Sequence, residues 1–404
     1  MSLSARILRL MVGCVLFTGQ AFAGNTTTLP AGTFLLDTHY LTSTTDVRWD
    51  DHRHAQTLID GIARYEPGGG LQGTITGTPH VEYRIVTPQI SYGITDHLTL
   101  GVATPYVRSS YIDPKLGWTP GDYQSQLGRS YTENDFWDWA KSMGQKKPGT
   151  FQGNNGVLAD MVVGARYRLS DLSLFQEHDL EAAVGIQFAL PTGHQPDPEE
   201  LVAAGTTAWD LHNFGDFELH FALEKPLKVD GIMRLNAGID LFYAVLRERT
   251  FVSPTGINNP LLMTYSPYIG STYKIDPGDI SGATVIVEGV PFIGPTWATW
   301  LAKGDISKAQ TFPPLLTLQA GLTHGHVNQS TWTSDSALWN WDHEKLWMPG
   351  DKNTVKLSAD VSLLRLGLPL ILYTQYRNQE WVPGRNTRAT DTFAVGARLL
   401  LKFW

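Results

Sequence analysis

The chain has 404 residues, a formal charge of -8 and only 17% charged residues, less than the quarter usual in soluble domains. The composition excludes an unfolded chain, and a pI near 5.8 excludes a dedicated nucleic-acid binder, which carries a basic surface. Thirty-nine glycines and 11% aromatic residues favour strands and tight turns.

Residues 1–23 read as a secretory signal: Arg6 and Arg9 introduce an apolar run to Phe17, and Ala21-Phe22-Ala23 offers small residues for cleavage before Gly24. A lipoprotein cut before Cys14 is the alternative, with Met11-Val12-Gly13 a poor match to it. Cys14, the single cysteine, lies inside that segment, so residues 24–404 carry no thiol, disulfide or cysteine ligand. Beyond the signal no apolar stretch is long enough for a membrane-crossing helix. Two homes remain, a soluble β-protein or a membrane-spanning β-barrel whose alternating strands escape hydropathy scans.

Period-two alternation decides for the barrel. Leu98, Leu100, Val102, Thr104 and Tyr106 share one face, while Thr99, Gly101 and Ala103 share the other. Val184, Ile186, Phe188 and Leu190 oppose Gly185, Gln187 and Ala189; Leu235, Ala237, Ile239, Leu241 and Tyr243 oppose Asn236, Gly238 and Asp240. Val355, Leu357, Ala359 and Val361 repeat the pattern. Strands are predicted near 32–43, 81–92, 98–109, 157–169, 179–190, 213–226, 232–245, 265–275, 280–292, 314–324, 354–363, 368–377 and 391–403. Short connections at 93–97, 170–178, 227–231 and 363–367 alternate with long ones, the division that outer-membrane barrels show between their two ends. Thirteen strands break that parity, so the sequence predicts an all-β transmembrane antiparallel barrel of about 14 strands, the missing one near 294–303, with 12 as the alternative. Residues 24–404 form this single barrel with long outer loops.

The last strand alternates Phe393, Val395, Ala397, Leu399, Leu401 and Phe403. With Trp404 one residue out of phase, Phe403 and Trp404 are the expected signal for the barrel assembly machinery.

Inward-facing charges are expected at Arg166, Arg168, Glu181, Glu218, Glu224, Arg234, Asp240, Lys356 and Asp360, with Asp37, His39, His220, Arg377, Arg398 and Lys402 on the same faces. Mixed signs can pair across strands, Arg166 or Arg168 with Glu181 and Glu224 with Arg234, or they can select polar solutes. Aromatic loops offer capture surfaces for apolar ligands: Phe136, Trp137 and Trp139 in one, Trp339, Trp341 and Trp347 in another. Trp297, Trp300 and Trp332 add to them, an interfacial girdle being the other reading. The spacing of Asp50, Asp51, His52 and His54, and of His324 and His326, suits a solvated polar loop better than a metal site. No cofactor motif is present, and no G-x-S-x-G elbow; the two Gly-Asp-Ile-Ser copies at 278–281 and 304–307 lack a neighbouring histidine. Catalysis is therefore not expected, an outer-membrane lipid hydrolase being the least supported reading.

Tyr92-Gly93-Ile94-Thr95-Asp96-His97-Leu98-Thr99-Leu100-Gly101 followed by Thr104-Pro105-Tyr106, together with Asp160-Met161-Val162-Val163-Gly164-Ala165-Arg166-Tyr167 and Ala189-Leu190-Pro191-Thr192-Gly193, resembles the outer-membrane proteins of the meta-pathway phenol-degradation family. That family is related in architecture to FadL-type transporters of hydrophobic compounds. The resemblance implies an outer-membrane channel of a Gram-negative bacterium for passive uptake of small hydrophobic, aromatic molecules, with outer-membrane lipid as its surroundings. No counterpart of the FadL N-terminal hatch is visible. The alternative carried forward is a porin for small polar or charged solutes.

Overall fold

The computed structural model describes residues 26–402 apart from 59–60, 67–68, 123–127, 143–146, 148, 154–155, 194–215, 228–232, 253–271, 292–314 and 337–348. The expected signal segment and its cleavage site, and the expected assembly signal at Phe403 and Trp404, lie outside the described residues.

Twelve antiparallel staves close into a ring. They are β1 (Thr33–Trp49), β2 (His80–Thr95), β3 in two segments (Leu98–Ala103 and Tyr106–Asp113), β4 (Met161–Arg168), β5 (Glu181–Leu190) and β6 (Phe217–Leu227). After these come β7 (Met233–Val245), β8 (Ile280–Pro291), β9 (Leu316–Val327), β10 (Gly350–Ser362), β11 (Leu370–Asn378) and β12 (Thr387–Lys402). Each pairs with its neighbours in order, and β1 pairs with both β12 and β2. Closure leaves no free edge, the condition for strands to sit in hydrocarbon.

Among the described residues the ring has twelve strands, the alternative count that the sequence allowed beside about fourteen. The predicted strand at 265–275 is represented by Thr272–Asp276, which pairs with Arg249–Val252 and Thr331–Ser334 in a separate three-stranded sheet. Parity is thus restored by removing a strand, and the predicted one near 294–303 lies outside the described residues.

Outward side chains are apolar and exposed: Ile90, Leu100, Val184, Ile239, Leu241, Val285, Leu322, Leu372 and Phe393. The alternate inward positions carry Gln89, Ser91, Thr99, Gln187, His220 and Asp240, all buried. In water this arrangement would cost about 25 cal/mol for each Å² of apolar surface left wet. It is stable only where the outer solvent is hydrocarbon, and it is the inverse of a soluble β-barrel. The face assigned outward from alternation in β7 is the face observed outward.

On the termini side the turns are short, among them Thr95 to Leu98, a 3-10 turn at Leu364–Leu366 closed by left-handed Gly367, and a four-residue helix at Ser173–Gln176. On the other side the chain builds a cap. A sheet of Ile62–Tyr65, Leu71–Gly77 and Leu116–Pro120 packs against α1 (Glu133–Ser142) through Ile75, Phe136, Trp137, Ala140, Leu116 and Trp118. Thr132 and Asp135 start α1 as a reciprocal capping pair: the Asp135 N–H donates to Thr132 Oγ1 at 3.3 Å and the Thr132 N–H to Asp135 Oδ2 at 2.7 Å.

The segment before β1 enters the lumen at the termini side. Leu29 N–H donates to Thr99 Oγ1 (2.7 Å), Ala31 N–H to Asp96 Oδ1 (2.8 Å), and the Arg166 guanidinium to the Thr27 carbonyl (2.6 Å). Gly93 permits this approach, since a Cβ there would stand 2.2 Å from the Pro30 carbonyl oxygen.

Candidate functional site: the barrel lumen

The lumen holds a cavity of about 450 Å³, bounded by inward residues of the strands and by Thr27 and Leu29 of the N-terminal segment. Its wall has three sectors of different character. Between β5 and β7 lies an acidic sector in which two carboxylates gather on one histidine. His220, 4% exposed, places Nδ1 2.9 Å from Asp240 Oδ2 and Nε2 3.1 Å from Glu218 Oε1, and Gln187 donates to Glu218. Arg166 on β4 is 7% exposed; beyond its bond to Thr27, its Nε and one terminal nitrogen have no hydrogen-bond partner among the described residues.

Across the ring, β10 to β12 carry the basic sector. Arg398 lies between two carboxylates, with Nε 3.1 Å from Asp37 Oδ2 and Nη1 2.7 Å from Asp360 Oδ2, and its guanidinium stacks over the Tyr373 ring at 4.1 Å. Tyr373 donates its hydroxyl to Asp37 at 2.8 Å. Lys356 and Arg377 face the same cavity from β10 and β11. Between the two sectors, Glu288 accepts from Asn236 (3.0 Å) and Gln319 (3.1 Å).

The third sector is apolar. Leu41, Val81, Tyr83, Ile85, Val107, Ile112, Ala159 and Ala394 form one buried cluster inside β1 to β3 and β12. On β2 the cluster uses the inward face alone: Val81, Tyr83 and Ile85 are buried and alternate with half-buried Glu82 and exposed Arg84, the reverse of the polarity along the rest of the wall.

At the termini-side rim Arg168 pairs with Glu181 at 3.4 Å, as the sequence pairing suggested, and Glu224 accepts the Thr26 N–H at 3.4 Å. The side chain of Arg234 lies outside the described residues. At the opposite mouth Asp216, just before β6, is pushed up to about 7 by burial and by the neighbouring charges of Glu218 and Asp160. His326 pairs with Asp351 at 2.7 Å, and Arg385 reaches the same carboxylate at 3.0 Å.

Three expected loop residues are placed by the cap. Phe136 and Trp137 are buried between α1 and its sheet, where their rings meet edge to face at 4.9 Å between centroids; their bulk is engaged in cap packing rather than offered at the mouth. Trp139 is 39% exposed beneath the Arg64 guanidinium at 4.0 Å. Trp339, Trp341 and Trp347, like Trp297 and Trp300, lie outside the described residues. Asp50 uses Oδ1 to accept the N–H groups of His52 (2.9 Å) and His54 (2.8 Å), and His52 bonds Asp51 at 2.6 Å, so this cluster is internally bonded as a polar turn. Asp279 of the first Gly-Asp-Ile-Ser copy accepts from Tyr243 and from the Leu246 N–H, a structural turn; the second copy lies outside the described residues.

The architecture is that of an outer-membrane β-barrel. The chain is similar in structure to the COG4313 outer membrane channel from Pseudomonas putida F1, at TM-score 0.52 and 10% identity over 94% of this chain and 98% of that one. Weaker likenesses include the translocator domain of the autotransporter NalP from Neisseria meningitidis (TM-score 0.37, 10% identity, 92% of this chain and 89% of that one). The TodX deltaS2S3 mutant monoaromatic hydrocarbon channel follows at TM-score 0.32 and 10% identity, covering 94% of this chain and 93% of that one. No family model and no curated protein sequence matches the chain.

Proposed function

We propose that the protein is a narrow outer-membrane channel through which small polar or charged solutes cross passively, and that residues 1–23 direct it out of the cytoplasm before removal. In this reading the short turns face the periplasm, the cap faces outward, and Phe403 with Trp404 is the segment read by the assembly machinery. The observation that carries the reading is the lumen wall. Most of the residues that line its cavity of about 450 Å³ carry hydroxyl, amide or charged groups, with apolar side chains such as Leu35, Leu41, Ile85 and Phe242 among them, a mixture that suits a wet pore better than a wholly apolar conduit. Twelve staves give a bore between the filled eight-stranded barrels and the open 16- to 18-stranded porins, and the segment at 26–31 narrows it further.

The alternative, uptake of small hydrophobic aromatic molecules, draws support from the exposed Trp139 on the cap and from the apolar sector of the lumen. Cells with and without the protein distinguish the two through uptake of a radiolabelled small sugar and of a radiolabelled neutral aromatic. Protein-dependent entry of the sugar is expected. Entry of the aromatic alone would reject the polar reading in favour of hydrophobe transport.

A further inference from the structure

Along β9 the outward row runs Leu318, Ala320, Leu322, His324, His326, apolar across the wall and ending in two imidazoles at the capped mouth. Thr323 and Gly325, on the opposite face, line the lumen cavity, so the histidines turn away from it. They stand on a barrel strand, not in the solvated loop that their spacing suggested. Residues two apart on a strand share a face at about 6.8 Å, within reach of one ion held between two rings. His324 is exposed and the side chain of His326 is 38% exposed, so water reaches both.

Strand register sets each ring against one partner on β10, His324 opposite Asn353 and His326 opposite Asp351. His326 Nδ1 lies 2.7 Å from Asp351 Oδ1, and an ionised carboxylate only accepts, so Nδ1 carries the proton. The same holds for His324. Asn353 donates Nδ2 to the Pro383 carbonyl at 2.7 Å, which turns its Oδ1 towards His324 Nδ1 at 2.8 Å. In the neutral form of both rings the lone pair is therefore on Nε2, and neither Nε2 has a partner among the described residues. Metal-binding histidines are braced in this way, the second nitrogen donating to a carboxylate or carbonyl oxygen that fixes tautomer and ring orientation.

We propose that His324 and His326 form a site on the outer wall, at the mouth, for a divalent transition-metal ion of the zinc or copper kind, held through both Nε2 atoms with water completing its shell. Asp351 and Asn353 are positioning residues. Arg385 and Arg53 hold the other oxygen of Asp351, at 3.0 and 3.7 Å, so that carboxylate braces the ring instead of reaching the ion. Their charges are offset by Asp50 and Asp51, on the turn that carries Arg53 and that is tied to the same loop by the Asn386 N–H bond to the Asp50 carbonyl. Imidazole suits zinc and copper, whereas calcium and magnesium take sets of oxygen ligands that this pair does not offer.

Calorimetric titration with zinc chloride of the protein purified in detergent without a polyhistidine tag tests the site, and paramagnetic resonance of added copper(II) reads its ligands. Saturable zinc binding and a copper signal split by two imidazole nitrogens are expected. His324→Gln and His326→Gln should each weaken zinc binding by at least about tenfold and take one nitrogen from the copper signal. Asp351→Asn should weaken binding by about 10–100-fold while both nitrogens remain, the mark of a residue that acts through another. The double variant His52→Gln/His54→Gln should bind as the wild type does. No saturable zinc binding, unchanged affinity in both single histidine variants, or calcium bound as tightly as zinc would overturn the site. Loss of binding in the His52→Gln/His54→Gln variant alone would also overturn it, by moving the ion to the Asp50 turn. Unchanged affinity in Asp351→Asn would remove the brace from the account. Heat-modifiability on gels verifies that each variant folds; if one histidine variant does not, the other reads the same pair, and the wild-type copper signal decides alone.

Discussion

Phe136 and Ile239 are both large apolar side chains, and the fold treats them in opposite ways. Phe136, 5% exposed, is enclosed between the cap helix and its sheet; Ile239, 39% exposed, stands on the outer surface of β7. The cap is built like a small soluble domain, with hydrocarbon inside and charge outside, and the barrel beneath it is inverted. One chain therefore folds by the same apolar term towards two solvents, and the position of the water decides which side of a strand is greasy.

Breaking the cap should give the largest effect. Phe136→Ala removes a ring packed against Trp137, Trp118 and Ile75, and a loss of about 3–5 kcal/mol of local stability is expected. Limited proteolysis should then cut within 116–142 while the barrel keeps its heat-modifiable mobility. Loss of both together would show that the cap and barrel fold as one unit. On the wall the sensitive change is of a different kind. Ile239→Lys, near the middle of β7, should cost about 2–4 kcal/mol of folding into vesicles, whereas Ile239→Ala should cost much less because no cavity forms beside fluid lipid. Equal costs for the alanine variants Phe136→Ala and Ile239→Ala would contradict the inversion.

A smaller effect tests how the cap helix begins. Thr132→Ala removes the acceptor of the Asp135 N–H and should cost about 0.5–2 kcal/mol, read as faster hydrogen exchange over 133–137 with the barrel strands unaffected.

The same contrast explains what could be read in the sequence. Alternation such as Leu235, Ala237, Ile239, Leu241, Tyr243 reports a two-sided environment directly, so the staves and their outward faces were legible. It does not say what the other side is, which is why Thr272–Asp276, an alternating strand in a separate sheet, was counted into the barrel. Phe136 and Trp137 were identifiable as aromatic loop residues, but whether they face solvent or a neighbouring sheet depends on Leu71–Gly77, some sixty residues away. The inward charges were legible as a set. Their pairing was not, because the opposition of Lys356 to Arg377 follows from strand register, and residues 26–31 are held in the lumen largely through backbone groups that carry no sequence signature.

Two carboxylates near the barrel mouth should respond to pH with opposite sign. Asp216 keeps its proton in the folded state up to about 7, whereas an unfolded chain releases it near 3.9. The folded form therefore binds more protons across that window, and stability falls as pH rises from about 4 to about 7; Asp216→Asn should flatten the trend in urea titrations of the vesicle-embedded barrel. Asp135 is the reverse case. The Arg129 guanidinium grips both of its oxygens, at 2.6 and 2.8 Å, and the Thr132 N–H and hydroxyl add to it, holding the carboxyl well below the usual range. Here the folded form binds fewer protons, so the contribution is complete above about pH 4 and is lost as pH falls towards the folded value. The pair lies at the cap surface, with Asp135 half-buried and Arg129 exposed to solvent that screens it, so this is the smallest of the expected effects. Protection of the 133–137 amides, corrected for intrinsic exchange, should weaken below about pH 4 in the wild type and lose most of its pH dependence in Asp135→Asn. An identical acid loss in the variant would assign the weakening to another group and leave Asp135 without a part in holding the cap closed.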